Sequence, residues 1–207
     1  MTIRILLVDD HPVVLGGLEG AFAGKPDLAI VGQAATCAEA RSILAREATD
    51  VALIDIRLPD GSGLELMAEF ADAGSTPSWI VYSSFETAQY VAAAVSLGAS
   101  GYLLKTTPIG EVVATIRRVA AGATAFTARQ LAGARQSDTL RLTSVDRGIV
   151  RGILASRSND EIARELGVAP KTVEAHLTRL FNRFGVSSRT ELALQAERGN
   201  WLDLPVW

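Results

Sequence analysis

The sequence predicts an α/β unit, a doubly wound sheet of five parallel strands, followed by a small all-α unit. Three observations carry this. Five short apolar runs alternate with helical stretches over residues 1–121. The rhythm stops at 122–141, where Gly122, Gly133, Ser137 and Asp138 interrupt it and no strand follows. From Leu142 onward only helical periodicity remains.

The strands are expected at Arg4–Val8, Ala29–Ala34, Val51–Ile54, Trp79–Ser83 and Gly101–Leu104. Runs such as Ile5-Leu6-Leu7-Val8 are apolar at every position, as parallel strands covered on both faces require. The helices between and after them are expected at Pro12–Ala23, Cys37–Arg46, Leu64–Ala73, Ala88–Leu97 and Ile109–Ala121. Thr36 and Glu39 have capping-box spacing, and Pro108 suits a first turn. Residues 122–141 read as a linker, helical in part because Arg129–Arg135 is rich in Ala and Leu. The second unit, 142–198, carries helices at Ser144–Leu154, Asn159–Leu166, Pro170–Phe184 and Arg189–Glu197. Ser158 with Glu161, and Ser188 with Glu191, are further capping boxes. The short turn Gly167-Val168-Ala169 between two helices gives a helix-turn-helix pattern. An apolar tail, 199–207, follows.

Composition is that of an ordinary globular chain, with 48% hydrophobic and 21% charged among 207 residues. No apolar stretch is long enough to span a bilayer, and Met1-Thr2-Ile3-Arg4 runs straight into a strand without a signal peptide. The single cysteine, Cys37, excludes an internal disulfide and suits a reducing cytoplasm, the expected location. Residues 1–130 hold nine Lys and Arg against fourteen Asp and Glu, a balance of −5. Residues 131–207 hold eleven against nine, a balance of +2, which permits a nucleic-acid partner.

Asp9 and Asp10 end the first strand, Asp55 ends the third and Lys105 ends the fifth. In doubly wound sheets, sites form at the carboxyl ends of the strands. Three carboxylates crowded there repel one another unless a cation neutralises them, and oxygen donors in that number suit Mg²⁺ beside a phosphoryl group. Taken singly, Asp9-Asp10 could be a solvated strand end, Asp55 a turn residue and Lys105 a surface charge. His11 is assigned mainly to the surface, because Mg²⁺ prefers oxygen.

Residues 1–121 resemble the receiver domain of bacterial two-component response regulators, a flavodoxin-like fold. The resemblance rests on Leu7-Val8-Asp9-Asp10, Asp55 followed by Leu58-Pro59-Asp60-Gly61, Ser83, and Gly101-Tyr102-Leu103-Leu104-Lys105. It implies that Asp55 is the phosphoacceptor, served by a partner histidine kinase. It implies that Asp10, Asp55 and the Arg57 backbone carbonyl bind Mg²⁺, with Asp9 acting through water. Lys105 would pair with Asp55 at rest and with a phosphoryl oxygen afterwards. Ser83 would donate to the phosphoryl group, and the movement of Ser84-Phe85-Glu86 would let Tyr102 turn inward. Thr106 stands where many receivers have proline.

Residues 142–197 resemble the LuxR-type DNA-binding domain, which would place the chain in the NarL/FixJ class. The matching residues are Leu142-Thr143, Ser158 through Ala163, Lys171 through Leu177, Phe184-Gly185-Val186 and Arg189 through Leu192. In the third helix of this half, Val173, Leu177, Leu180, Phe181 and Phe184 form a buried stripe at helical spacing. Lys171, Thr172, Ala175, Thr178, Arg179 and Asn182 remain as the candidate contacts to double-stranded DNA. His176, at the border of the stripe, is read as structural. Glu174 and Asp146 replace a frequent lysine and glutamate, and the modest positive charge implies a homodimer on two half-sites when active.

Two other readings stay open on sequence alone. An aspartyl-phosphate phosphohydrolase also uses an Asp nucleophile and Mg²⁺, but usually has an acid where Arg57 stands. A receiver working without phosphorylation would have no reason to gather these charges.

Overall fold

The computed structural model describes residues 2–71, 77–136 and 142–204. The chain divides into two compact units, Met1–Thr139 and Leu140–Trp207. The first contains β1 (Ile3–Val8), α1 (Pro12–Phe22), β2 (Leu28–Ala34), α2 (Cys37–Leu44), β3 (Val51–Ile54), β4 (Arg57–Leu58), β5 (Gly61–Ser62) and α3 (Gly63–Phe70). It continues with β6 (Ser78–Ser83), α4 (Ala88–Ser96), β7 (Gly101–Leu104), α5 (Ile109–Ala120) and α6 (Ala128–Gln136).

The five longer strands make one parallel sheet in the order β2-β1-β3-β6-β7. Side chains alternate between the two faces. Ile5, Leu7, Leu53 and Ile80 pack on one face with Leu18 and Phe22 of α1 and Val112, Ile116 and Val119 of α5. Leu6, Ala52, Ile54 and Val81 alternate with them and are equally buried. Both faces are covered at the centre of the sheet, which is why Ile5–Val8 and Val51–Ile54 carry no polar residue.

Two differences from the sequence reading stand out. The tiny β4–β5 hairpin after Asp55 is antiparallel and too short to show any periodicity. The linker expected over 122–141 is not a free connector along its described part. Ala125 bridges to Gly101 on the edge of the sheet, and α6 packs along α4. The first unit therefore runs past residue 121, because this segment finds backbone partners on β7, the sheet's open edge. Residues 137–141, the expected end of the third helix at Ala73, and Pro205-Val206-Trp207 lie outside the described residues.

The second unit holds α7 (Ser144–Leu154), α8 (Asn159–Leu166), α9 (Pro170–Phe184), α10 (Arg189–Arg198) and a short 3₁₀ turn, Trp201–Asp203. Thr143 with Asp146 and Ser158 with Glu161 form capping boxes. At α10, Ser188 caps as expected, but Glu191 reaches back to Ser187 rather than to Ser188. Gly167 ends α8 with φ +66°, a left-handed turn that costs glycine little, and so sets α9 across α8. Val173, Leu177 and Leu180 of α9 are buried, whereas Phe181 and Phe184 are only partly covered.

The described part of the expected tail, 199–204, folds onto its own unit. Trp201 and Leu204 are buried, the Trp201 ring lies 4.2 Å from that of Phe184, and the Leu202 carbonyl accepts from Arg147. Trp201→Ala is expected to destabilise this unit by about 3–5 kcal/mol, since a large ring is removed from a small core. Urea unfolding followed by circular dichroism tests this; a loss under about 1 kcal/mol would mean the ring is not part of the core.

Candidate functional sites

The register of the sheet builds the acidic site. Val8 pairs with Ile54, so Asp9 and Asp55 leave adjacent strands at the same level. Ser83 pairs with Leu104, which puts Lys105 one residue beyond the end of β7. Strands β3 and β7 are separated by β6, a gap of about 10 Å. Only a long side chain spans that gap. The Lys105 Nζ does so, lying 2.6 Å from Asp55 Oδ2 and 2.7 Å from Asp9 Oδ2.

The remaining groups close around these. The Ile56 backbone N–H donates to Asp55 Oδ1 at 2.7 Å, and the His11 N–H donates to Asp9 Oδ1 at 2.9 Å. His11 Nδ1 stands 3.0 Å from Asp9 Oδ1 and 2.7 Å from Asp10 Oδ1. The surface assignment for His11 was thus incomplete: its ring is 61% exposed, yet its Nδ1 faces the acid pair. Gly63 fits tightly beneath. A Cβ there would come within 2.0 Å of the Asp55 carbonyl oxygen, so any side chain would push the acid off its position.

Burial pushes the Asp55 carboxyl above the usual carboxylate range, against the opposing pull of Lys105. Burial alone would lower the Lys105 ammonium, but its hydrogen bonds to Asp55 and Asp9 outweigh it and hold it above its ordinary value. Asp9 Oδ2 and Asp10 Oδ1 are buried, and each faces a nitrogen at 2.7 Å, Lys105 Nζ and His11 Nδ1 respectively. Candidate ligand atoms of Asp9, Asp10, His11 and Asp55 lie within 4.8 Å of one another. Hard oxygen donors with spare lone pairs fit Mg²⁺ well. Arg57 lies on β4 just beyond Asp55, its guanidinium 4.6 Å above the Phe85 ring.

Ser83 is buried, and its Oγ accepts from the Phe85 N–H at 3.3 Å. Tyr102 was expected to turn inward on activation. It already lies inside, only 2% exposed, with its hydroxyl donating to the Phe85 carbonyl. That acceptor satisfies the polar end of a ring that otherwise gains by burial. Burial also raises the Tyr102 phenol far above its ordinary value, so it acts as a donor. Asp60, quoted above only as part of a motif, caps α2 by accepting from the Cys37 and Ala38 N–H groups at 2.7 and 2.9 Å. Twenty-three residues separate Asp60 from Cys37, so no local pattern signals this cap.

In the second unit, Lys171, Ala175, Thr178, Arg179 and Asn182 of α9 are exposed and Thr172 is half-buried. Two are less free than expected. The Thr178 hydroxyl donates to the Glu174 carbonyl at 3.0 Å. The Arg179 guanidinium donates to Asp146 Oδ1 at 2.7 Å, where His176 Nδ1 also lies at 2.7 Å. Burial alone would raise the Asp146 carboxyl, but hydrogen bonds from His176, Thr143 and Arg179 prevail and hold it below the usual range. The structural reading of His176 agrees with this arrangement.

Among the described residues, no helix is long and apolar enough to cross a membrane. Residues 5–117 match the family "Response regulator receiver domain", and residues 140–196 match "Bacterial regulatory proteins, luxR family". The chain is 32% identical over 203 residues to the DNA-binding transcriptional activator DevR/DosR of Mycobacterium tuberculosis, covering 94% of each chain. It is 34% identical over 194 residues to the transcriptional regulatory protein UhpA of Salmonella typhimurium, covering 92% of this chain and 96% of that one. The crystal structure of response regulator ChrA from a heme-sensing two-component system superposes with a TM-score of 0.53 at 26% identity, covering 96% of this chain and 98% of that one. With its acidic cluster at the sheet edge and its helix-turn-helix unit, the chain belongs to the two-component response regulators in which a receiver domain is followed by a LuxR-type DNA-binding domain.

Proposed function

We propose that Asp55 accepts a phosphoryl group from a partner histidine kinase and that its phosphorylation controls DNA binding by α9. The observation that carries this is the Lys105 ammonium shared between Asp55 and Asp9, in a cluster with Asp10 whose candidate ligand atoms lie within 4.8 Å of one another. Asp10 and Asp55, with the Arg57 carbonyl, would hold Mg²⁺, and Asp9 would act through water. When bound, the ion neutralises the carboxylates and polarises the phosphoryl oxygens.

The chain's own residues do the rest. Asp55 is held by the Ile56 N–H and Lys105, so its carboxylate meets the phosphorus in one orientation. An O–P bond forms between the Asp55 carboxylate and phosphorus as the N–P bond of the donor histidine breaks; the electron pair of that bond leaves on the imidazole nitrogen, which takes a proton from solvent. Lys105 then follows the charge onto a phosphoryl oxygen, and the Ser83 hydroxyl, which accepts the Phe85 N–H, donates its own proton to the new group. Catalysis is positioning and charge neutralisation.

In the second unit, Lys171, Thr172, Ala175, Thr178, Arg179 and Asn182 form the DNA-facing side of α9. The active species is a homodimer on paired half-sites, working in the cytoplasm. The test is intact-mass analysis after treatment with acetyl phosphate. One phosphoryl group is expected with Mg²⁺ and none with EDTA, with the label mapping to Asp55. Labelling that ignores Mg²⁺, or maps elsewhere, removes this reading.

A further inference from the structure

We propose that α6 is a clip on the receiver, fastened by Gln130 to the loop that Ser83 begins, and that phosphorylation of Asp55 unfastens it. This rests on the reading of Asp55 as phosphoacceptor.

Gln130 is buried, 6% exposed, and every part of its amide is engaged. Its Oε1 accepts from the Thr127 N–H at 2.8 Å. Its Nε2 donates to Glu86 Oε2 at 2.7 Å and to the Tyr102 carbonyl at 3.3 Å. Its own backbone N–H donates to Thr127 Oγ1 at 3.1 Å, so the same residue fixes the first turn of α6. The chain leading to α6 is tied to the sheet edge as well: the Ala125 N–H donates to the Ser100 carbonyl at 2.6 Å, and Gly101 and Ala125 form a parallel bridge. Further along, a Cβ on Gly133 would meet Ala88 Cβ of α4 at 3.7 Å.

Glu86 belongs to a loop with a competing engagement. Its neighbour Phe85 donates its N–H to Ser83 Oγ and accepts from the Tyr102 hydroxyl. A phosphoryl group on Asp55 recruits the Ser83 hydroxyl as a donor, and as its Oγ turns it carries with it the Phe85 N–H it still accepts from, which draws the loop toward the acidic site. Glu86 moves with it. Gln130 Nε2 is left with the longer bond to Tyr102 alone, and a buried amide short of an acceptor disfavours the docked helix. With the loop as it stands Glu86 meets Gln130, and with the loop drawn to the acidic site that contact is lost, which gives the segment two alternative states. In sequence, α6 lies between the acidic site and the DNA-contacting helices, so its release changes the length of free chain between the units.

Hydrogen–deuterium exchange of the full chain tests this, with phosphoryl occupancy read by intact mass. With acetyl phosphate and Mg²⁺, amides of 128–136 are expected to exchange about tenfold faster, while those of β1 and β3 do not change. Asp55→Asn should keep α6 protected under the same treatment. Gln130→Glu places a carboxylate against Glu86 and should give fast exchange in 128–136 without any phosphodonor. Adding Glu86→Gln to it restores a donor–acceptor pair and should return protection. An Asp55 adduct with unchanged exchange in 128–136 overturns the clip while leaving the phosphoacceptor reading intact. Failure to form any adduct removes both. Unchanged exchange in Gln130→Glu also overturns it, because the fastening would then lie elsewhere.

Discussion

Asp55→Asn is expected to reduce labelling by a small phosphodonor by on the order of 10³-fold or more, because an amide is a far weaker nucleophile than a carboxylate. The loss should not come from unfolding. The amide oxygen can still accept the Ile56 N–H, and Lys105 keeps Asp9. The sign of the stability effect follows from burial. The folded Asp55 carboxyl titrates above its ordinary value, so its contribution to stability is present below the unfolded pKa and is lost as pH rises through the folded one. Once pH has risen above the folded pKa, the ionised side chain costs the fold free energy, and there the Asn variant without metal should unfold at an equal or higher urea concentration. The variant should also lose most of the stabilisation that Mg²⁺ gives the native chain. A variant that unfolds earlier without metal would show that the Asp55–Lys105 pair is mainly structural.

Lys171→Ala is expected to weaken DNA binding about equally across sequences and to lower the slope of log affinity against log salt by about one unit per subunit. Lys171 is the second residue of α9, and the N-terminal end of a recognition helix meets the groove first. Asn182 lies eleven residues further on, about 16 Å along the axis. It cannot touch the same base pairs as Lys171, so Asn182→Ala should leave that slope unchanged and alter sequence preference only if the far end reaches a base. Glu174, exposed on the same helix, subtracts from phosphate attraction. Titrations by fluorescence anisotropy at several salt concentrations separate these outcomes. A slope that Lys171→Ala leaves untouched would exclude that side chain from the phosphate contacts.

The parts of the molecule written in local patterns were legible in the sequence. The five strands read from continuous apolar runs, and three helices of the second unit, Ser144–Leu154, Asn159–Leu166 and Pro170–Phe184, match the observed ends. Ser158 with Glu161 marks the second of these starts and Pro170 the third, local signals that survive without any tertiary information. The acidic set was readable because register carries the residues after Val8 and Ile54 to one edge. What stayed hidden depends on distant partners. The hydrogen bonds of Asp146 to His176 and Arg179 join residues 30 and 33 positions apart through the crossing of α7 and α9. Gly63 gives no sign of the Asp55 carbonyl beneath it. Helix α6 has no strong apolar stripe; Gly122, Gly133, Ser137 and Asp138 suggested a connector, while one of the groups that hold it is a buried glutamine, Gln130. The inward position of Tyr102 could not be read from spacing.

The coupling between the two units is the central claim, and one comparison tests it most directly. DNA sites would be selected from a random-sequence pool with the phosphorylated protein. Affinity for those sites would then be measured, with Mg²⁺ and acetyl phosphate present, for the native chain and for Asp55→Asn. Native protein should bind about tenfold or more tightly than the variant, with a steeper dependence on protein concentration as dimers fill both half-sites. Equal affinity and equal steepness in the two proteins would contradict control of DNA binding by phosphorylation.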